Sequence, residues 1–153
     1  MLTCQLATPE QRKQFLPILR AEMSDYLERT FQLMGMTWNQ FVELYYSTGQ
    51  VFVVFQNSEL AGYYWIEVKA EILHLHGIVI LPGFRGIGIG TSVLRNLAEE
   101  YASRVRAIEL GVQDDNLQAK SLYEREGFKI IKSLSDLKFT IMQKPLLLEE
   151  HRL

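Results

Sequence analysis

The chain has 153 residues, 48% hydrophobic and 22% charged, with a formal net charge of −2, a composition that belongs to a soluble globule long enough to bury one substantial core. The acidic balance excludes the basic face that sequence-independent nucleic-acid binding requires, and no apolar run reaches membrane-spanning length. The N-terminus lacks the charged stretch and apolar run of a signal peptide, and the single cysteine, Cys4, has no partner for a disulfide, so a reducing, cytoplasmic setting is expected.

No repeat, low-complexity tract or linker interrupts the chain. One domain is expected over residues 1–145, followed by a tail, 146–153. Leu2, Cys4 and Leu6 alternate with polar residues and predict a first strand in which the thiol packs as a small hydrophobe. Thr8, Pro9, Glu10 and Gln11 form a capping-box helix start, with proline at the tolerated first position. The helical region extends to about residue 29, and Pro17 is expected to kink or break it, because proline lacks an N–H and crowds the preceding turn. A second capping box, Thr37 with Gln40, opens a helix running to about residue 46.

Three runs rich in Val, Ile and aromatic residues follow, at 51–55, 60–68 and 72–81; the turn-like Asn57-Ser58-Glu59 and Lys69-Ala70-Glu71 between them predict antiparallel strands. Val93, Leu94, Leu97, Ala98 and Tyr101 keep helical spacing within about 88–103, and 107–112 returns to a strand pattern. Asn116 caps a short helix reaching residue 126, and Gly127 suits the left-handed position that ends it. Residues 128–134 and 138–143 read as closing strands. This order predicts an α+β fold: a mixed, mostly antiparallel sheet flanked by helices, with one right-handed crossover from 72–81 through the helix to 107–112.

The segment Pro82-Gly83-Phe84-Arg85-Gly86-Ile87-Gly88-Ile89-Gly90 lies between a strand and a helix, where backbone N–H groups are unpaired and the helix dipole is positive. Glycines let the main chain curl around phosphate oxygens and Arg85 adds a cation, so a pyrophosphate suits this loop. The plain alternative is a tight turn in which the glycines serve only geometry. A P-loop would close on lysine followed by Ser or Thr, which is absent. A dinucleotide fold would begin with this unit, whereas here antiparallel strands precede it and the spacing is Gly-x-Gly-x-Gly.

Arg85-Gly86-Ile87-Gly88-Ile89-Gly90 resembles the Arg/Gln-x-x-Gly-x-Gly/Ala motif of the GNAT superfamily of N-acetyltransferases, and Ile80-Leu81-Pro82 precedes it as in many members. Asn116, Ala119 and Leu122-Tyr123-Glu124, then Gly127-Phe128, resemble that family's second signature. The resemblance implies acetyl-CoA as cosubstrate, bound in a cleft where the strands 72–81 and 107–112 splay apart. It implies a pantetheine arm paired like an added strand along Ile78 and Ile80, and a pyrophosphate over Arg85, Gly86, Ile87, Gly88, Ile89, Gly90 and Thr91. It also implies cofactor contacts at Asn116, Ala119 and Tyr123, and an Ile80 amide that polarises the thioester carbonyl.

Aminolysis of a thioester needs a neutral amine, a stabilised oxyanion and a proton for the departing thiolate. Tyr123, placed by the resemblance, suits the last task, since a phenol is protonated at neutral pH; the plain alternative is a helix residue packed on the sheet. For the base, some family members carry a glutamate where this chain has His74, with His76 one alternation away; others carry one where this chain has Gly111. Histidine as a base, a histidine merely bonded to a neighbour, the weaker candidates Glu67 and Glu109, and a water relay all stay open. By resemblance the acceptor is lined by residues 22–38, where Glu22, Asp25 and Glu28 could attract a cationic amine and Tyr26, Phe31 and Trp38 could wall it, unless they are a solvated face and core aromatics.

The expected function is acetyl transfer from acetyl-CoA to an amine, on a small molecule or a protein, in a ternary complex without a metal or covalent enzyme intermediate. Competing readings are a non-catalytic acyl-CoA-binding or regulatory domain on the same scaffold, and a nucleotide-binding protein using the glycine loop alone. No nucleic-acid or membrane partner is expected; a homodimer is a family expectation.

Overall fold

The structure is a computed structural model and describes residues 1–146. Both capping boxes form: Thr8 and Gln11 exchange side-chain and backbone hydrogen bonds at the start of α1 (Pro9–Glu22), and Thr37 and Gln40 do the same at α3 (Trp38–Ser47), satisfying amides that a helix start leaves unpaired. Between them, α2 (Ser24–Met34) ends on Gly35 in the left-handed conformation. The expected break at Pro17 does not occur. Pro17 sits inside α1, flanked by Phe15 and Leu19, both fully buried, and the helix ends six residues later at Met23. Proline there deletes one intrahelical hydrogen bond, and burying two large side chains on the inner face outweighs that loss.

One sheet holds β1 (Leu2–Leu6), β2 (Gln50–Gln56), β3 (Glu59–Lys69), β4 (Ile72–Ile80), β5 (Ala107–Gln113), β6 (Lys129–Leu134) and β7 (Phe139–Pro145), in the order β1-β2-β3-β4-β5-β7-β6. Among the described residues only β4 and β5 pair in parallel, joined through α4 (Ile89–Tyr101); α5 (Leu117–Arg125) joins β5 to β6. The expected α+β fold, mostly antiparallel with flanking helices, is therefore present. One face packs α4 and α5 through Val93, Leu94, Leu97 and Tyr123 against Leu73, Ile108 and Met142; the other packs α1 to α3 through Phe15, Leu19, Phe41 and Tyr45 against Val53, Tyr63 and Trp65. No described helix is long and apolar enough to cross a membrane. Leu146, expected to open the tail, is instead buried and donates its N–H to the Arg106 carbonyl; the rest of that tail lies outside the described residues.

The β2–β3 and β3–β4 hairpins have two-residue turns, Asn57-Ser58 and Ala70-Glu71, with positive φ at all four positions. Asn57 is suited to this conformation, whereas Ala70 and Glu71 (φ 51° and 63°) hold it against a Cβ clash of about 1–2 kcal/mol each. Glu71→Gly should raise stability by about 0.5–1 kcal/mol, the relieved strain less the entropy glycine gains when unfolded. The ion pair lost, Glu71 with Arg106, is largely exposed and contributes little. An unchanged or lower urea midpoint would contradict this account.

Candidate active site

The site begins with a fault in β4. Ile66 faces Leu75 and Trp65 faces Gly77, so His76 is an extra residue without a partner on β3. A bulge bends its strand and re-aims its side chains. Leu73 and Leu75 before it, and Ile78 and Ile80 after it, all face the α4 side, whereas His74 and His76 open onto the α1–α3 side beside Trp65. Pairing between β4 and β5 stops at Leu75–Leu110, and beyond that point the strands diverge. Leu81 donates to Ala61 on β3. By antiparallel alternation, Ile78 and Ile80 then direct their N–H and C=O groups away from β3, toward the gap.

A cavity of about 100 Å³ occupies the gap, lined among others by Gly77, Ile78, Val79, Val112, Gln113, Asn116 and Tyr123. Ile80 is outside this lining, and its carbonyl accepts a 2.7 Å hydrogen bond from Arg85 Nε. The expected free strand edge at Ile80 is thus half occupied, and Ile78 is the residue whose backbone faces the cavity. Arg85 also pairs with Glu22 at 3.0 Å, so its guanidinium braces the end of β4 against α1 as well as flanking the glycine loop.

Past a short 3-10 turn, Pro82–Phe84, the chain enters α4 through Gly88. Gly86 and Gly88 hold φ of 78° and 86°, and a Cβ built on either would meet nothing within 4 Å. Among the described residues, no backbone N–H of 85–91 donates to a backbone carbonyl; the first to do so is Ser92, to Gly88. A run of free amides at the start of a 13-residue helix, over open space, fits an anionic diphosphate.

Across the gap, Asn116 accepts from the Ala119 N–H at 3.2 Å and starts α5. This cap sets the phase of the helix so that Tyr123 faces inward, against Phe128. Tyr123 is 8% exposed and its hydroxyl has no hydrogen-bond partner among the described residues. Burial pushes the phenol pKa up to about 12, because a phenolate there would lose its hydration. Tyr123 therefore presents a proton to the cavity at any physiological pH.

A second cavity, of about 450 Å³, lies on the α1–α3 side, walled by Tyr26, Phe41, Trp65 and Phe139, with Glu67, His74, His76 and Glu109 on its floor. His76 is 2.8 Å from Glu67 through Nε2. With the carboxylate accepting there, the neutral ring keeps Nδ1 as its proton acceptor. His74 Nδ1 lies 3.3 Å from Glu109, whose other oxygen accepts from Gln143 at 2.8 Å. Six of the described residues line both cavities: Met23, Leu75, His76, Leu110, Gly111 and Phe139; of these His76 alone carries a side-chain nitrogen able to accept a proton. Gly111 is as bare as it must be, since a Cβ there would fall 2.1 Å from the Phe139 ring, which stacks on Tyr26 at 3.9 Å. A carboxylate base cannot occupy that place in this chain.

Of the acceptor-side residues read from the sequence, Tyr26 lines the second cavity and Glu22 the first, but Asp25, Glu28, Phe31 and Trp38 line neither. Phe31 and Trp38 pack around Phe41 in the core, and Arg20 covers Trp38. The sequence reading missed Trp65, Phe41, Phe139 and Gln143. Glu67 was named there only as a weaker base, yet its place was readable: counting back from the Ala70-Glu71 turn puts Glu67 opposite His74, and so on the histidine face.

Residues 13–128 match the acetyltransferase (GNAT) family. The chain is 27% identical over 133 residues, 85% of its length and 89% of the relative's, to the 5-NmdU N-acetyltransferase of Pseudomonas phage PaMx11. PaiA N-acetyltransferase from Thermoplasma acidophilum, solved in complex with coenzyme A, shares the fold with a TM-score of 0.70 at 15% identity, over 95% of this chain and 99% of that one. Spermidine N-acetyltransferase from Vibrio cholerae, solved with CoA and spermine, does so with 0.70 at 20% identity over 95% of each chain. The family match runs from the first helix through the glycine loop to Phe128, so the chain belongs to the acetyltransferase (GNAT) family and is an N-acetyltransferase.

Proposed function

We propose that the protein transfers an acetyl group from acetyl-CoA to a primary amine by direct attack in a ternary complex. The observation that carries this reading is the meeting of the two cavities at His76, Gly111 and Phe139. One side offers free loop amides and Tyr123; the other offers an aromatic chamber floored by carboxylates and histidines. An amine in the larger cavity would meet a thioester in the smaller one without any residue of the chain carrying the acetyl group between them.

In this reading the amides of 85–91 hold the diphosphate, and the Ile78 N–H stabilises the developing oxyanion. His76 Nδ1 takes the amine proton, with Glu67 fixing the ring and balancing the imidazolium charge. Tyr123 donates a hydrogen bond to the departing sulfur. The relatives named above act on amines by their names, which agrees with this class of acceptor.

Free CoA release with a panel of primary amines tests the reaction, and intersecting double-reciprocal plots are expected for a ternary complex; parallel lines would require a covalent intermediate instead. For the donor side, Gly88→Val should weaken CoA binding at least tenfold by calorimetry. A β-branched residue at φ 86° is strained, and its side chain enters the space the phosphates need. Undiminished CoA affinity in a folded variant would remove the loop from the site.

A further inference from the structure

We propose that the acceptor carries a second positive charge: the larger cavity takes a small dicationic amine, with the reacting nitrogen at His76 and the distal ammonium at Glu109. This rests on the reading of the chain as an amine acetyltransferase and names its substrate class.

The register places Glu67, His74, Glu109 and Gln143 opposite one another in a single row across β3, β4, β5 and β7. Neighbouring strands lie about 4.8 Å apart, so the two carboxylates are rooted about 10 Å apart along the cavity floor, with His74 between them. Glu67 is engaged by His76, at the junction with the smaller cavity. Glu109 is not needed there. It is held by the neutral Gln143 amide and by His74, and among the described residues no lysine or arginine lies within ion-pair distance of it. Lys69 also lines the cavity but pairs with neither carboxylate.

A carboxylate can accept about four hydrogen bonds, and the Glu109 side chain is 25% exposed, so it keeps acceptor capacity on the cavity side. The volume, about 450 Å³, is that of a small-molecule site. Tyr26, Phe41 and Trp65 offer apolar and aromatic surface to a hydrocarbon spacer and its charged end. A monoamine bound at His76 would leave Glu109 unanswered; a diamine answers it with a charge-assisted hydrogen bond.

The test compares kcat/KM for butane-1,4-diamine and butylamine, in the wild type and in Glu109→Gln, which keeps shape and the Gln143 contact. The wild type should prefer the diamine by about 10- to 100-fold, the usual range for one hydrogen bond between charged groups. In Glu109→Gln that ratio should collapse to within a few-fold. Equal kcat/KM for the two amines in the wild type would overturn the proposal while leaving the transferase reading intact, as would a ratio unchanged in Glu109→Gln. If neither amine releases CoA, calorimetry of the diamine against the CoA-loaded protein decides. Saturable binding lost in Glu109→Gln would uphold the dication site and overturn acetyl transfer to the bound diamine; no binding would overturn the proposal.

Discussion

Tyr123→Phe is expected to lower kcat by about 10²- to 10³-fold, the usual size for removing one hydrogen-bond donor to charge that develops in the transition state, with CoA affinity and folding close to wild type. The ring keeps its packing on Phe128, and the hydroxyl removed makes no hydrogen bond among the described residues, so no internal partner is orphaned. A leaving thiolate in a partly dry gap loses hydration, and a neutral phenol replaces part of it. With a pKa near 12, the phenol is a weaker acid than a thiol, whose ordinary value is about 8.5. Its contribution is therefore a hydrogen bond that strengthens as charge gathers on sulfur, with the proton finally supplied by the His76 imidazolium, which holds the one taken from the amine, or by solvent. Near-normal turnover in the Phe variant, measured where chemistry limits the rate, would reduce Tyr123 to a wall of the cleft.

His76→Gln should have an effect of similar size, about 10²- to 10⁴-fold in kcat/KM, and should abolish the low-pH limb of the pH–rate profile that protonation of a histidine base produces. His74→Gln should do much less, because His74 does not line the smaller cavity. Glu67→Gln should give an intermediate loss: the carboxamide oxygen still accepts from Nε2, so ring and tautomer stay placed, but the charge balancing the imidazolium is gone. The order His76 over Glu67 over His74 is specific to a base at the bulge. Equal, small losses in all three would hand deprotonation to water.

Much of the fold was legible because its signals are local. A capping box spans four residues, a two-residue hairpin turn announces itself in Asn57-Ser58, and the Asn116 cap lies three residues from the amide it satisfies. The glycine loop was legible for the same reason, since free amides and positive φ arise within one short stretch. The break allowed for at Pro17 did not occur, because the local rule gives only the cost of a helical proline, whereas the burial of Phe15 and Leu19 that outweighs it depends on β-strands far along the chain. For Asp25, Glu28, Phe31 and Trp38 the sequence left two readings open, and the structure takes the plainer one: which face of α2 and α3 meets the sheet is set by packing, and those side chains lie on the outer surface or against the core.

The sequence by itself determined the element order, a glycine loop between strand and helix, the position of Tyr123 on a capped helix, and a pair of histidines on the fourth strand. Only the tertiary structure decided which histidine lines both cavities. That choice comes from the bulge: one extra residue opposite Trp65 breaks the period-two alternation, keeps His76 on the acceptor face, and turns Ile78 and Ile80 to the other. Likewise, the emptiness of Gly111 has its cause in Phe139, and the charge of Glu109 has its meaning in a row of four strands. Pairings between distant strands carry no local signature, because a backbone hydrogen bond is blind to the side chains it brings together, and register is fixed only when the whole sheet closes over its core.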